Sequence, residues 1–408
     1  MRKTFPHTPR LLPVACGITL LGLSTQALSS GFGIPEISIL GLGTSNAVVA
    51  NPDELGAIPY NPAAAVYHPT SLSGGLMAIV PDLSVTTVTG SHDSDGKSII
   101  AIPQFQATYR LNDRTAFGLG LSAPFGLETN WDETAPVFPG LVGIGHPTLS
   151  KVEIIDLSPT VAYKLTDNFS VSGGLDYYYL RTVEFNADVI DNEGDGDAFG
   201  WNLGLLFTQD NVSVGVSYHS GADIDIKGSS HIPSAMLTVP ATAELELPTR
   251  LQAGIRVEAT DKLALEFDIT RTGWSSFDVL EIKNPVSTVT SINNWDDATA
   301  YRLGGTYQLN NKTQLRFGYS FDQTGQNDDF FSARVPDADR HLFSVGFGHD
   351  MGDGWTLEGG YMYVRFKDRT HSATGFTAPG EPNGSLLYNG EYKSNVNLLG
   401  LGISKTFM

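Results

Sequence analysis

The sequence predicts an all-β protein: a transmembrane antiparallel β-barrel of about fourteen strands, with a small irregular or helical N-terminal hatch plugging its lumen. Three observations carry this expectation. From Ser71 onward, apolar and polar residues alternate with period 2. Short and long connections between these runs follow each other in strict turn. Residues 30–69, in front of the array, keep no strand or helix period and are rich in Gly, Ala, Asn and Pro.

Taken in chain order, residues 1–29 read as a secretion signal. Arg2, Lys3 and Arg10 precede a short apolar core over 11–23, and Ala27-Leu28-Ser29 supplies small residues for cleavage before Ser30. A lipidated Cys16 is the rival, but Pro13 sits three residues before it and fits poorly. Cys16 is the only cysteine, so the mature chain is expected to carry no disulfide. Residues 30–69 form the expected hatch, and 70–408 the expected barrel. No later segment has the ~18 consecutive apolar residues of a spanning helix.

In the barrel region Val212, Val214, Val216 and Tyr218 alternate with Ser213, Gly215, Ser217 and His219. Leu315, Phe317, Tyr319 and Phe321 alternate with Gln314, Arg316, Gly318 and Ser320. A soluble sandwich would bury the apolar face, whereas a membrane barrel turns it toward lipid and keeps a polar lumen. The polar faces carry Arg, Glu, Asp and Gln with many Gly. Tyr109, Tyr163, Trp201, Trp274, Tyr301 and Trp355 lie near strand ends, as interface girdles require. Short turns fall at 112–114, 166–168, 209–211, 260–262, 310–312 and 352–354. Longer loops are expected near 90–98, 124–150, 189–197, 225–240, 282–296, 323–337 and 371–389. Six turns and seven loops join fourteen strands. In the last strand Leu399, Leu401, Ile403 and Phe407 share a face. This resembles the terminal signal read by the barrel assembly machinery, although Phe407 is penultimate.

The 408 residues carry a net charge of −19, which excludes a nucleic-acid partner, because phosphate backbones need Lys and Arg. No P-loop, paired-Cys or HExxH motif is present, and the His residues form no nucleophile arrangement, so neither an enzyme nor a cofactor is expected. The acidic run 191–197 (DNEGDGD) suits either a divalent cation or a solvated loop.

The chain resembles the FadL/TodX family of outer-membrane transporters for long-chain fatty acids and hydrocarbons. The resemblance rests on Ser30-Gly31-Phe32, Gly41-Leu42-Gly43 and Asn61-Pro62-Ala63, the last similar to the family's hatch signature. Phe125-Gly126-Leu127-Glu128-Thr129, Gly273-Trp274-Ser275-Ser276-Phe277 and Val335-Pro336-Asp337-Ala338-Asp339-Arg340 follow in order. It implies passive uptake across the outer membrane of a Gram-negative bacterium by a monomer surrounded by outer-membrane lipid and lipopolysaccharide. A long-chain fatty acid or other hydrophobic small molecule would be caught on outer loops, bound in the barrel, and released sideways at a break in the third strand. That break is expected at Pro124, Phe125 and Gly126, since Pro removes a ladder donor and Gly permits a bend. The other reading is that these residues begin the next loop.

Expected apolar ligand contacts are Phe125, Leu127, Trp131, Phe138, Leu141, Ile232, Met236 and Leu237; packing together as a lid is the alternative. Arg181, Lys283 and Arg340 are candidates for a substrate carboxylate, or for ordinary ion pairs of a polar lumen. Fatty-acid members are expected to carry an arginine near the outer end of the fifth strand, where Glu184 stands, with Arg181 close by. This departure leaves uncharged hydrocarbons open. In the hatch, Asn61, Pro62 and Ala63 form either a latch to the wall or a plain Asn-Pro turn.

Overall fold

The computed structural model describes residues 31–96, 99–134, 137–143, 145–374 and 386–407. The expected export signal and Ser30 lie outside them, as does most of the connection near 371–389. Fourteen strands form one closed antiparallel barrel. They are β1 (Ser71–Thr87), β2 (Ile100–Arg110), β3 (Thr115–Asn130), β4 (Pro147–Thr166), β5 (Phe169–Ala187) and β6 (Asp191–Gln209). β7 runs through Val212–His219 and Ala222–Ile232, and β8 through Leu237–Leu247 and Arg250–Thr260. β9 (Leu263–Thr272), β10 (Ala298–Asn310), β11 (Thr313–Asp322), β12 (Arg340–Gly352), β13 (Trp355–Phe366) and β14 (Gly390–Thr406) complete the wall. β14 pairs with both β13 and β1, which closes the ring.

Burial settles which face looks where. Leu203, Leu205, Phe267, Ile269, Phe343 and Val345 are exposed, while their strand neighbours Asn202, Glu266, Asp268 and Ser344 are buried. An apolar outside around a polar inside is the membrane arrangement, not that of a sandwich. Tyr109, Tyr163, Trp201, Tyr301 and Trp355 are exposed as girdle residues should be. Trp274 is the exception: it is fully buried and faces inward. Among the described residues no helix is long and apolar enough to cross a membrane.

All six short turns fall where the alternation requires. Several long loops, however, are partly strand. The acidic run 191–197 is the start of β6, hydrogen-bonded to β5 and β7. Residues 225–240 are mostly β7 and β8, which meet in a tight turn at Pro233–Ala235. Val279–Lys283 and Thr288–Ile292 pair as a hairpin above the wall. Residues 124–130 continue β3 rather than opening a loop. Polar and glycine-rich sequence looks loop-like locally, yet neighbouring strands supply its hydrogen bonds.

Residues 31–69 fold inside the barrel. Ser38 caps the helix Ile39–Gly43, and Asn61 caps the 3-10 helix Pro62–Tyr67. Small side chains let this hatch approach the wall closely. A side chain at Gly215 would fall on the Val49 carbonyl, and one at Gly318 on the Thr44 backbone. The many glycines on lumen faces thus include positions where the hatch backbone needs the space.

Candidate functional site: a cavity beside an unpaired stretch of wall

The hatch is anchored by charged groups that point into the lumen. Asp268 on β9 accepts hydrogen bonds from the Val48 and Val49 amides at 2.9 and 3.1 Å, and Glu266 accepts from the Ala50 amide at 2.6 Å. Arg316 on β11 bridges Glu54 of the hatch at 2.7 Å and Glu358 of β13 at 2.6 Å. Asn61 makes hydrogen bonds both within its own turn and to the wall. Its Oδ1 accepts from the Ala63 amide at 3.2 Å, and its Nδ2 donates to the Leu205 carbonyl of β6 at 2.9 Å and to Val49 at 2.8 Å. Pro62 and Ala63 follow it into the 3-10 helix. The larger anchors, Asp268, Glu266 and Arg316, escaped the sequence reading. Their signal was a charge on the inward parity of a strand.

The third strand carries an irregularity. Ser122 lies opposite Asp156 and Phe125 opposite Ile154, so Ala123 and Pro124 face the single residue Ile155: a β-bulge. On the other side, β2 and β3 pair only from Phe105–Leu121 to Arg110–Ala116. Beyond that, residues 100–104 of β2 and 122–130 of β3 share no ladder pair. The Asp95 amide bonds the Asn130 carbonyl at 2.8 Å and closes the gap above. Pro103 and Pro124 stand on its two edges and have no N–H to leave unpaired.

The start of the hatch takes the vacated place. Gly33 pairs with Phe125 as an isolated antiparallel bridge. The Ile34 amide donates to the Pro124 carbonyl at 2.8 Å, and the Gly126 amide donates to the Phe32 carbonyl at 2.9 Å. Phe32 is held among Trp274, Phe277, Phe125 and Trp295, with ring centroids 4.6 to 6.3 Å away. Sequence reasoning assigned Trp274 to the lipid girdle and did not assemble this cage.

Between the hatch start, the gap and the barrel wall lies a cavity of about 600 Å³, within the usual range for small-molecule pockets. Ile79 of β1, Ile100 and Ile102 of β2, Phe125 and Leu127 of β3, Val364 and Phe366 of β13, and Leu398 of β14 give it an apolar lining. Arg340, Arg181, Glu36, Glu128 and Glu153 supply its charges. Arg340 is buried. Its nearest acid is Asp322, at 3.6 Å, and its Nε and Nη2 have no hydrogen-bond partner among the described residues. Glu36 belongs to the hatch. Burial pushes its carboxyl up from the ordinary value, against the pull of Arg340, and Asn46 Nδ2 donates to it at 2.8 Å.

The other predicted residues separate. Arg181 lines the cavity but is largely exposed and bonded to Glu153 at 3.4 Å. Lys283 lies outside the cavity, on the surface hairpin, 2.8 Å from Glu281. Trp131, Phe138 and Leu141 are fully buried against one another and against Val85, Phe331, Tyr388 and Tyr392. They line no part of the cavity and pack together instead. Ile232, Met236 and Leu237 sit at the tip of the β7–β8 hairpin, where Met236 is 90% exposed in a left-handed conformation.

The profile of the family described as "Outer membrane protein transport protein (OMPP1/FadL/TodX)" matches residues 20–407. The chain belongs to this family. It is an outer-membrane transporter of the FadL/TodX type, a conduit for hydrophobic compounds and not an enzyme. A long-chain fatty acid transport protein of Salmonella typhi is 25% identical over 400 residues, covering 86% of this chain and 91% of its own. A 47 kDa outer membrane protein of Pasteurella multocida is 25% identical over the whole of both chains. Among solved structures, a FadL homologue of Pseudomonas aeruginosa superposes with a TM-score of 0.79 at 20% identity, covering 93% of this chain and all of its own. The Pseudomonas putida toluene transporter TodX gives 0.70 at 15% identity, covering 93% and 99%. These two likenesses concern the fold.

Proposed function

We propose that this transporter carries long-chain fatty acids, and that the cavity beside the β2–β3 gap is the site they occupy. The observation that carries the reading is Arg340: a buried guanidinium at a largely apolar cavity, whose Nε and Nη2 have no hydrogen-bond partner among the described residues. An amphipathic anion supplies the missing acceptor and the tail to fill the space. A chain burying about twelve methylenes contributes on the order of 10 kcal/mol before association costs. A charge-assisted bond to the carboxylate adds roughly 1.5–3 kcal/mol.

The geometry supports a lateral route. Exposed Met236 and Leu237 offer an apolar landing place outside. The cavity lies below, and residues 32–34 stand in the gap through which the ligand would leave sideways. A ligand filling the cavity competes with Phe32 for its aromatic cage. Moving residues 32–34 would break two backbone hydrogen bonds and uncover the edge of β3. Exit then leads into the membrane rather than through the hatch.

Uptake of uncharged aliphatic or aromatic hydrocarbons is the second reading. It is favoured by Glu184, which stands where an arginine is expected in fatty-acid members, and by the carboxylates of Glu128 and Glu153 on the same cavity. Binding of palmitate and of hexadecane to the purified protein and to Arg340→Gln separates the two. The fatty-acid reading expects palmitate affinity to fall at least ~10-fold in the variant with hexadecane unchanged. Equal loss of both, or no loss, refutes it.

A further inference from the structure

Arg365 occupies an unusual position. It lies at the end of β13 opposite the short turn 352–354, hence at the outer end of the barrel. Its parity is that of Tyr361 and Trp355, which face lipid, and it is exposed. Across the ladder it stands opposite His341 on β12 and Asn395 on β14. No described residue gives it a hydrogen bond or an ion pair, and Arg365 is not among those with further contacts. His341 uses Nδ1 on the Tyr319 hydroxyl, at 2.9 Å, and stacks on that ring, which leaves Nε2 as its remaining polar atom. Lys367 lies two residues beyond Arg365 and is 69% exposed, with only a 4.0 Å approach to the buried Asp339. The nearest outward acid on β14, Glu391, is taken by Lys393 at 2.9 Å.

We propose that this face is a binding site for the phosphate of an outer-leaflet glycolipid, a lipid A headgroup, with Arg365, Lys367 and His341 as its donors. Four physical points support this. A lipid-facing arginine is tolerated near the interface but still needs an acceptor, and arginine matches phosphate bidentately. Residues directly opposite on neighbouring strands bring their Cβ atoms within roughly 5 Å, so Arg365 and His341 can share one ligand. Below them Phe343, Val345, Tyr361 and Leu399 are exposed and form an apolar lane for acyl chains. Finally, a basic spot on a chain of net charge −19 cannot arise from a general positive surface.

The test uses the full mature protein in detergent, challenged with bisphosphorylated lipid A and with the same lipid enzymatically dephosphorylated, and read by native mass spectrometry. The phosphorylated form is expected at least ~10-fold more occupied. In the double variant Arg365→Gln/Lys367→Gln, occupancy should fall to the level of the dephosphorylated lipid. Heat-modifiable migration on gels checks that the variant barrel is folded; if it is not, the wild-type comparison of the two lipids decides alone. Equal retention of both lipids overturns the proposal. So does retention unchanged in a folded variant, displacement of lipid A by an equimolar carboxylate such as oleate, or self-association of the protein in place of lipid adducts.

Discussion

Asp268 offers the most direct test of how the hatch is held. The side chain is fully buried on the inward face of β9. Its Oδ2 accepts the Val48 and Val49 amides at 2.9 and 3.1 Å and the Gln252 side-chain amide at 2.8 Å. Asp268→Ala leaves two hatch N–H groups without an acceptor. Each buried orphan costs about 1–3 kcal/mol, so hatch docking weakens by about 2–6 kcal/mol. At about 1.4 kcal/mol per factor of ten, the released population rises between roughly 30-fold and 20,000-fold. The ladder pairs of β9 with β8 and β10 involve only backbone, and the barrel should assemble normally. Hydrogen exchange at residues 48–50 in the reconstituted protein measures the effect directly. Those amides should exchange faster by that factor, while amides of β11 and β12 keep their protection. Asp268→Asn retains one acceptor oxygen and should fall between. Unchanged protection at residues 48–50 in a correctly folded Asp268→Ala barrel would refute the argument that this carboxylate docks the hatch.

Two further outcomes follow from the same geometry. Asn61→Ala removes the bond to the Leu205 carbonyl together with the helix cap, each worth about 1 kcal/mol. Fatty-acid uptake by intact cells should drop several-fold at normal barrel abundance; parental uptake would reject the latch. Gly33 and Phe125 stand directly opposite, so Gly33→Cys with Phe125→Cys should form a disulfide in a chain whose one native cysteine is replaced (Cys16→Ser). Oxidised protein should lose uptake and regain it on reduction, whereas Phe125→Cys alone should be insensitive to reductant. Transport by the oxidised double variant at the level of the reduced one would show that residues 32–34 need not move.

The membrane barrel was legible because a strand turns every second side chain to the opposite face, whatever its partners. Alternation in Val212–His219 and Thr313–Asp322 therefore reported the lipid and lumen faces directly. Short turns were legible for a related reason: three or four residues such as Asn310-Asn311-Lys312 determine their own geometry. The irregular composition of residues 30–69 marked a segment that forms no regular strand of its own among the described residues 31–69. Charge identified possible head-group ligands, but not which of them was free. Arg340, Arg181 and Lys283 differ in burial, in place and in which acids lie nearby, and for Arg340 and Arg181 those acids are brought there by other strands. Trp274, just past the end of β9, keeps the inward parity of Glu266, Asp268 and Thr270, a signal that its aromatic character masked, and it packs onto Phe32. Trp131, Phe138 and Leu141 met partners more than 180 residues away, Phe331, Tyr388 and Tyr392, and were buried against them. The gap between β2 and β3, the hatch residues that fill it and the cavity behind it exist only once distant segments share a wall. Sequence thus determined what each residue could face, because that depends on the local backbone. Tertiary structure decided what each residue met, because pairing and burial depend on residues far away in the chain.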